Sequence, residues 1–222
     1  VTRVAGVDGC AGGWVAVMLV DGQFAGARLA ARFADLLDDP ATVIGVDIPL
    51  GSCACPRAAD VTARERLGPR RASVFDPPPP EVLDAADLAT ANELARRRYG
   101  RGVSAQGWHL REKMRDAEPH WRAEPARIFE VSPELSFATL HGAPLSHAKR
   151  TWAGSQARTA LLARVGIVVP ADVGPAGAAG VDDVLDAAAV AWTAARLATG
   201  AAFSLPDPPD RDGAGCAVAI WC

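Results

Sequence analysis

The chain has 222 residues, half of them hydrophobic and 22% charged, with a formal net charge of −3. This predicts a packed core in one large domain or two small ones and carries no global basic signal for nucleic acid. No apolar run approaches the roughly 18 residues of a membrane span, no N-terminal signal pattern is visible, and five scattered cysteines argue against a disulfide framework, so the expectation is a cytoplasmic protein with no membrane partner.

Residues 3–7, 14–20 and 23–30 read as three short strands, punctuated by Gly12-Gly13 and Asp21-Gly22. Asp-Gly is a strong hairpin signal. Residues 31–38 suit a short helix, and the β-branched run at 42–48, TVIGVDI, predicts a fourth strand. The order opens β-β-β-α-β, which implies an α/β mixed sheet flanked by helices. Residues 52–124 break this pattern. They are rich in Arg, Pro and charge and contain the run Pro77 to Pro80, which fits neither a helix interior nor a central strand. Helices are predicted at 57–67, 84–98 and about 108–117, so the block reads as a largely helical insertion over a surface. Strand character returns at 126–132, ARIFEVS. Helices follow at about 134–140, 152–165 and 182–199, and CAVAIW at 216–221 reads as a last strand.

The acids form a pattern. Asp8 ends the first strand, Asp47 ends the fourth, and Glu130 lies in the fifth. Asp182, Asp183 and Asp186 open the long helix, where Asp182 suits a capping role and Asp183 and Asp186 share a face. Each acid alone has a bland reading as a turn or cap residue. Together, acids at the ends of neighbouring strands plus a same-face pair make a cluster of like charges. Such a cluster needs protons or cations to neutralise it. Oxygen-only ligands favour Mg²⁺ or Mn²⁺, and two such ions about 3.5–4 Å apart can clamp a phosphodiester displacement.

The β-β-β-α-β order with acids on the first and fourth strands resembles the ribonuclease H-like fold. The "DDVLDA" helix resembles the last catalytic helix of Holliday-junction resolvases in that superfamily. More closely, the chain resembles the domain of unknown function 429 family, described as predicted nucleases of that fold. The stretches carrying the resemblance include "GVDGCAGGWVAV", "GVDIPLG", "RRASVF", "VSAQGWHLREKM", "FEVSPELSFATLHG", "KRTWAGSQAR" and "VDDVLDAAAVAWTAARL". The resemblance implies a single domain over 1–222 and a metal-dependent nuclease with Asp8, Asp47, Glu130, Asp183 and Asp186 as metal-binding and catalytic residues. Asp47 departs from the resolvase pattern, which has a glutamate on the fourth strand; a shorter acid reaches less far. Ala11 stands where proline is common in the family.

Other polar motifs suggest substrate contacts. Arg70 or Arg71, with Ser73, could bind phosphate. Lys149, Arg150 and Thr151, with Arg158 further on, precede or open a helix whose N-terminus could hold an anion. Gln106 and Lys113 lie in a segment that could line a groove for a base or sugar. Each has an alternative as ordinary surface or packing polarity. Cys53-x-Cys55 is a weak metal hint, and the four histidines lack zinc spacing. The expected partner is nucleic acid or a nucleotide, and a homo-oligomer is compatible with the sequence. The main competing function is a non-catalytic nucleotide- or protein-binding scaffold. An ATP-dependent phosphotransferase is disfavoured, because the turn DGCAGGW has no Ser or Thr in reach.

Overall fold

The structure is a computed structural model and describes residues 1–38, 40–51 and 56–222. The chain opens with a meander of β1 (Arg3–Cys10), β2 (Gly13–Val20) and β3 (Gln23–Ala30). Asp21 and Gly22 reverse it with left-handed φ values of 49° and 79°, which Asp-Gly adopts readily. The expected helix over 31–38 is only a 3-10 turn, Phe33–Leu36. A three-residue spacing stacks the buried Phe33 and Leu36 on one side of such a turn, and Pro40 disfavours continuation.

β4 (Val43–Val46) runs parallel to β1, and β5 (Ile128–Glu130) runs parallel to β4. The result is a five-stranded mixed sheet of order β3-β2-β1-β4-β5. Between β4 and β5 lie α1 (Ala58–Leu67), α2 (Pro80–Leu83), α3 (Leu88–Tyr99), α4 (Ala105–His109) and α5 (Arg111–Ala123), with a 3-10 turn at Gly68–Ser73. Among the described residues this region contributes no strand. After β5 come α6 (Pro133–His141), α7 (Trp152–Arg164) and α8 (Val181–Ala198).

Each sheet face has its own cover. On one, α8 lies against β1, β2 and β4. Its buried Ala187, Ala188, Ala191 and Ala194 keep that surface thin. A Cβ on Gly6 would collide with the Ala187 carbonyl oxygen and the Ala191 nitrogen, so only glycine permits this approach. On the other face, Val7, Ile44, Val46 and Ile128 pack with Met114, Ala117 and Trp121 of α5. Asp116 of α5 accepts hydrogen bonds of 2.7 Å from Trp14 Nε1 and from the Phe33 amide. The Trp14 and Phe33 rings meet edge-on with centroids 5.3 Å apart. These contacts latch the long helical segment onto the sheet.

The C-terminal segment forms a two-stranded sheet, β6 (Ser204–Arg211) with β7 (Ala217–Trp221). β6 reads SLPDPPDR, and its prolines hide it from sequence reasoning. Pairing runs through Leu205↔Ile220 and resumes only at Asp210↔Val218. The prolines sit in the irregular stretch, where no ladder donor is needed. A parallel bridge, Val131↔Trp221, joins this pair to the end of β5.

Candidate functional site

Strand register decides which acids meet. Val7 pairs with Val46 in the parallel β1–β4 ladder, so Asp8 and Asp47 leave the ends of adjacent strands side by side. Side chains alternate along a strand, which puts both aspartates on the α8 face together with Gly6. Glu130 pairs with Val46, not with Asp47. It therefore belongs to the opposite face, with Val7 and Ile128. Glu130 thus reaches the same cleft as Asp8 and Asp47 from the other face of the sheet, and its charge adds to the rise of the Asp47 carboxyl.

The α8 face holds a cluster of aspartates. Asp8 and Asp186 are buried, while Asp47 and Asp183 keep partial exposure. Burial first, and then the charges of Asp47 and Asp186, push the Asp8 carboxyl well above the usual range. Burial and the Asp186 charge push Asp47 up to about 8. Asp186 rises to about 6 through burial, against the opposing pull of Lys149. Burial and the neighbouring Asp182 raise Asp183 as well. No hydrogen bond to another described residue is found at the Asp8 or Asp47 carboxylate.

Lys149 is the cation in direct contact with the buried part of the cluster among the described residues. Lys149 Nζ lies 2.6 Å from Asp186 Oδ2 and 3.6 Å from Asp182 Oδ2. Burial opposes the Lys149 charge, but the surrounding aspartates overcome it and raise the ammonium pKa. Arg158 anchors the approach to this lysine. It is fully buried, pairs with Glu134 at 2.5 Å, and donates to the His147 carbonyl at 3.3 Å. Among the described residues, no three His, Cys, Asp or Glu side chains are grouped so as to hold a metal ion.

Glu130 belongs to a second network. Arg57 Nη2 lies 2.6 Å from Asp60 Oδ1 and 2.8 Å from Glu130 Oε1. Arg57 Nη1 donates to Glu130 Oε2 at 2.9 Å and to the Leu50 carbonyl at 2.8 Å. The Leu50 amide donates back to Glu130 Oε2 at 2.7 Å. Both Glu130 oxygens are thus engaged, and the pair secures the segment that follows Asp47. Burial still raises the Glu130 carboxyl, against the Arg57 charge.

Both networks border one cleft of about 300 Å³. Asp8, Asp47, Asp183 and Lys149 line one side, and Ser73, Phe75, Gln106, Leu110 and Lys113 line another. Lys113 donates to the Gly13 carbonyl and stands 4.5 Å over the Trp14 ring. Burial lowers its pKa.

Several expected substrate contacts lie elsewhere. Arg70, Arg71 and Thr151 do not line the cleft. Arg70 Nε donates to the Leu145 carbonyl at 2.7 Å, and Arg71 is exposed. Thr151 caps α7, accepting from the Gly154 amide at 3.1 Å. Ser73 lines the cleft but spends its hydroxyl on the Arg70 carbonyl at 2.8 Å. Lys149 and Arg150 engage Asp186 and Asp182, so neither awaits an anion alone. Cys53 and Cys55 lie outside the described residues.

Sequence reasoning missed Arg57, Asp60, Glu134 and Phe75, and it read Arg158 only as one of the basic residues around the start of α7. The Arg57–Asp60 spacing of three at a helix start was a usable signal. The pairing of Arg158 with Glu134 crosses two helices and left no local trace.

A family profile described as "Protein of unknown function (DUF429)" matches residues 6–211, which span β1 through β6 and therefore every acid of the cleft. The chain belongs to this family. No curated protein and no solved structure matches this DUF429 chain.

Proposed function

We propose that the cleft is the active site of a metal-dependent phosphodiester hydrolase, with a ribonuclease H-like fold, acting on nucleic acid. One observation carries the reading: Asp8 and Asp47 emerge side by side from parallel strands, with raised carboxyl pKa values and Asp186 charged against them. A meander followed by parallel strands, with acids at the ends of β1 and β4, also supports the fold assignment.

Asp8, Asp47, Asp183 and Asp186 fit an oxygen-only ligand set, because buried carboxylates that repel one another are relieved by a divalent cation. Glu130 does not fit, since Arg57 and the Leu50 amide take both of its oxygens. Its part is to position the segment after Asp47. When bound, Mg²⁺ or Mn²⁺ supplies charge stabilisation at a phosphoryl oxygen and an activated water. Lys113 offers a cationic contact to substrate phosphate, and Lys149 offers one to the extent that it releases Asp186. Loading an ion requires the aspartates to draw closer than they stand here, with Lys149 yielding part of its hold on Asp186.

That last point favours a second reading. Lys149 already neutralises part of the cluster, so a non-catalytic nucleotide- or protein-binding scaffold would need no metal. The deciding experiment is Mn²⁺-dependent cleavage of single-stranded, duplex and branched nucleic acids by wild type and Asp8→Asn. Cleavage is expected in the wild type. It should fall by about a hundredfold or more in the variant, since a metal's role is worth several kcal/mol. Unchanged cleavage in Asp8→Asn removes Asp8 from the mechanism. No cleavage by the wild type favours the scaffold.

A further inference from the structure

Gln106, Leu110 and Lys113 follow one another at spacings of four and three, which sets them along one helical face at the cleft wall. Leu110 joins α4 to α5 with helical dihedrals, φ −76° and ψ −12°, so the face is continuous. The Asp116 bonds to Trp14 and Phe33 hold this wall in place. Beside it, Phe75 lines the same cleft and is partly buried. Phe75 makes no ring contact among the described residues and joins none of the hydrophobic clusters.

An aromatic ring on the cleft wall, an exposed side-chain amide and two ammonium groups meet the needs of one nucleotide. The ring can stack a base, the amide can read a base edge, and the lysines can take a phosphate. Size agrees, because about 300 Å³ is at the lower end of small-molecule sites. Charge agrees too. Long duplexes are held by many phosphate contacts from Lys and Arg, whereas this chain carries a net charge of −3, and Arg150 beside the cleft is paired with Asp182.

We propose, resting on the hydrolase reading, that the cleft takes one nucleotide unit at a time, its base against Phe75 and Gln106 and its phosphate toward Lys113 and Lys149. The unit is a free nucleoside monophosphate or the terminal nucleotide of a single strand.

The test has a binding arm and a cleavage arm. By calorimetry in Mn²⁺, AMP should bind at least about tenfold more tightly than ribose 5-phosphate, the margin expected from one stacked base. Phe75→Ala should erase most of that margin and leave ribose 5-phosphate binding unchanged. Gln106→Ala, at an exposed position, should reduce AMP binding several-fold without altering the fold. With linear and circular single-stranded DNA, the linear strand should be degraded to mononucleotides and the circle should survive. AMP binding no tighter than ribose 5-phosphate, or a margin indifferent to both variants, overturns the inference. Comparable cleavage of the circle also overturns it and leaves the hydrolase reading standing. A Phe75-dependent AMP preference without cleavage of any strand supports the nucleotide site and removes the hydrolase reading.

Discussion

Two buried acidic groups border the same cleft, on opposite faces of the sheet, and they are neutralised in different ways. Glu130 and Asp60 share one fully buried guanidinium, with donors on both Glu130 oxygens. Among the described residues, Asp8, Asp47 and Asp186 have one direct ion pair, the lysine on Asp186, and their carboxyl pKa values rise. The first group is finished as a structural element. The second is left short of positive charge beside a cleft, which is the usual condition of a working site.

The sharpest way to break the comparison is to remove the finished group's cation. Arg57→Met should cost about 3–5 kcal/mol, because it leaves two buried carboxylates without a partner. Urea unfolding measures this. A loss below about 1 kcal/mol would mean the network is not the support described. The unfinished group should instead gain from added charge. Mn²⁺ at about one hundred times its dissociation constant should stabilise the wild type by about 2.7 kcal/mol, and Asp8→Asn should lose most of that gain. An equal gain in both proteins would locate the ion elsewhere.

The raised carboxyls also set a pH dependence. Burial pushes the Asp47 carboxyl up to about 8 and that of Asp186 to about 6, against an ordinary 3.8 for each. A raised folded pKa contributes stability that is full below the unfolded value and is lost as pH rises through the folded one. Metal-free stability should therefore fall between pH 4 and 8, by at most about 1.4 kcal/mol per unit for each such carboxyl. Asp47→Asn should flatten the upper part of that slope and melt higher than wild type at pH 8. A wild-type protein that gains stability over this range would contradict the raised values. The smallest effect is expected at Arg150→Ala. Its pair with Asp182 is exposed on the arginine side, so the melting temperature should not move measurably.

Much of this molecule was legible in local patterns. The Asp-Gly turn, the three strands before it and after it, the β-branched run at 43–46 and the alanine-rich α8 follow from periodicity and turn chemistry, which act over a few residues. The acids were legible too, as carboxylates at the ends of apolar runs. β6 was not, because its prolines argue against a strand unless the partner strand leaves a gap in pairing. The 3-10 turn at 33–36 was read as a longer helix, because three-residue stacking and the first turn of an α-helix look alike over so short a span.

What the sequence by itself determined is the inventory: an α/β chain with carboxylates ending two apolar strands, a same-face acid pair opening a helix, and a proline-rich helical block between strands. What only the tertiary structure decided is who meets whom. A single-residue offset between β4 and β5 puts Glu130 on the Arg57 face of the sheet while Asp8 keeps the α8 face, the two meeting only across one cleft. A loop pinned by Arg158 brings Lys149 to Asp186 from 37 residues away in sequence. Strand register and loop anchoring depend on contacts between segments far apart in the chain. Local propensity holds no record of them, and a shift of one residue exchanges the two faces of a sheet.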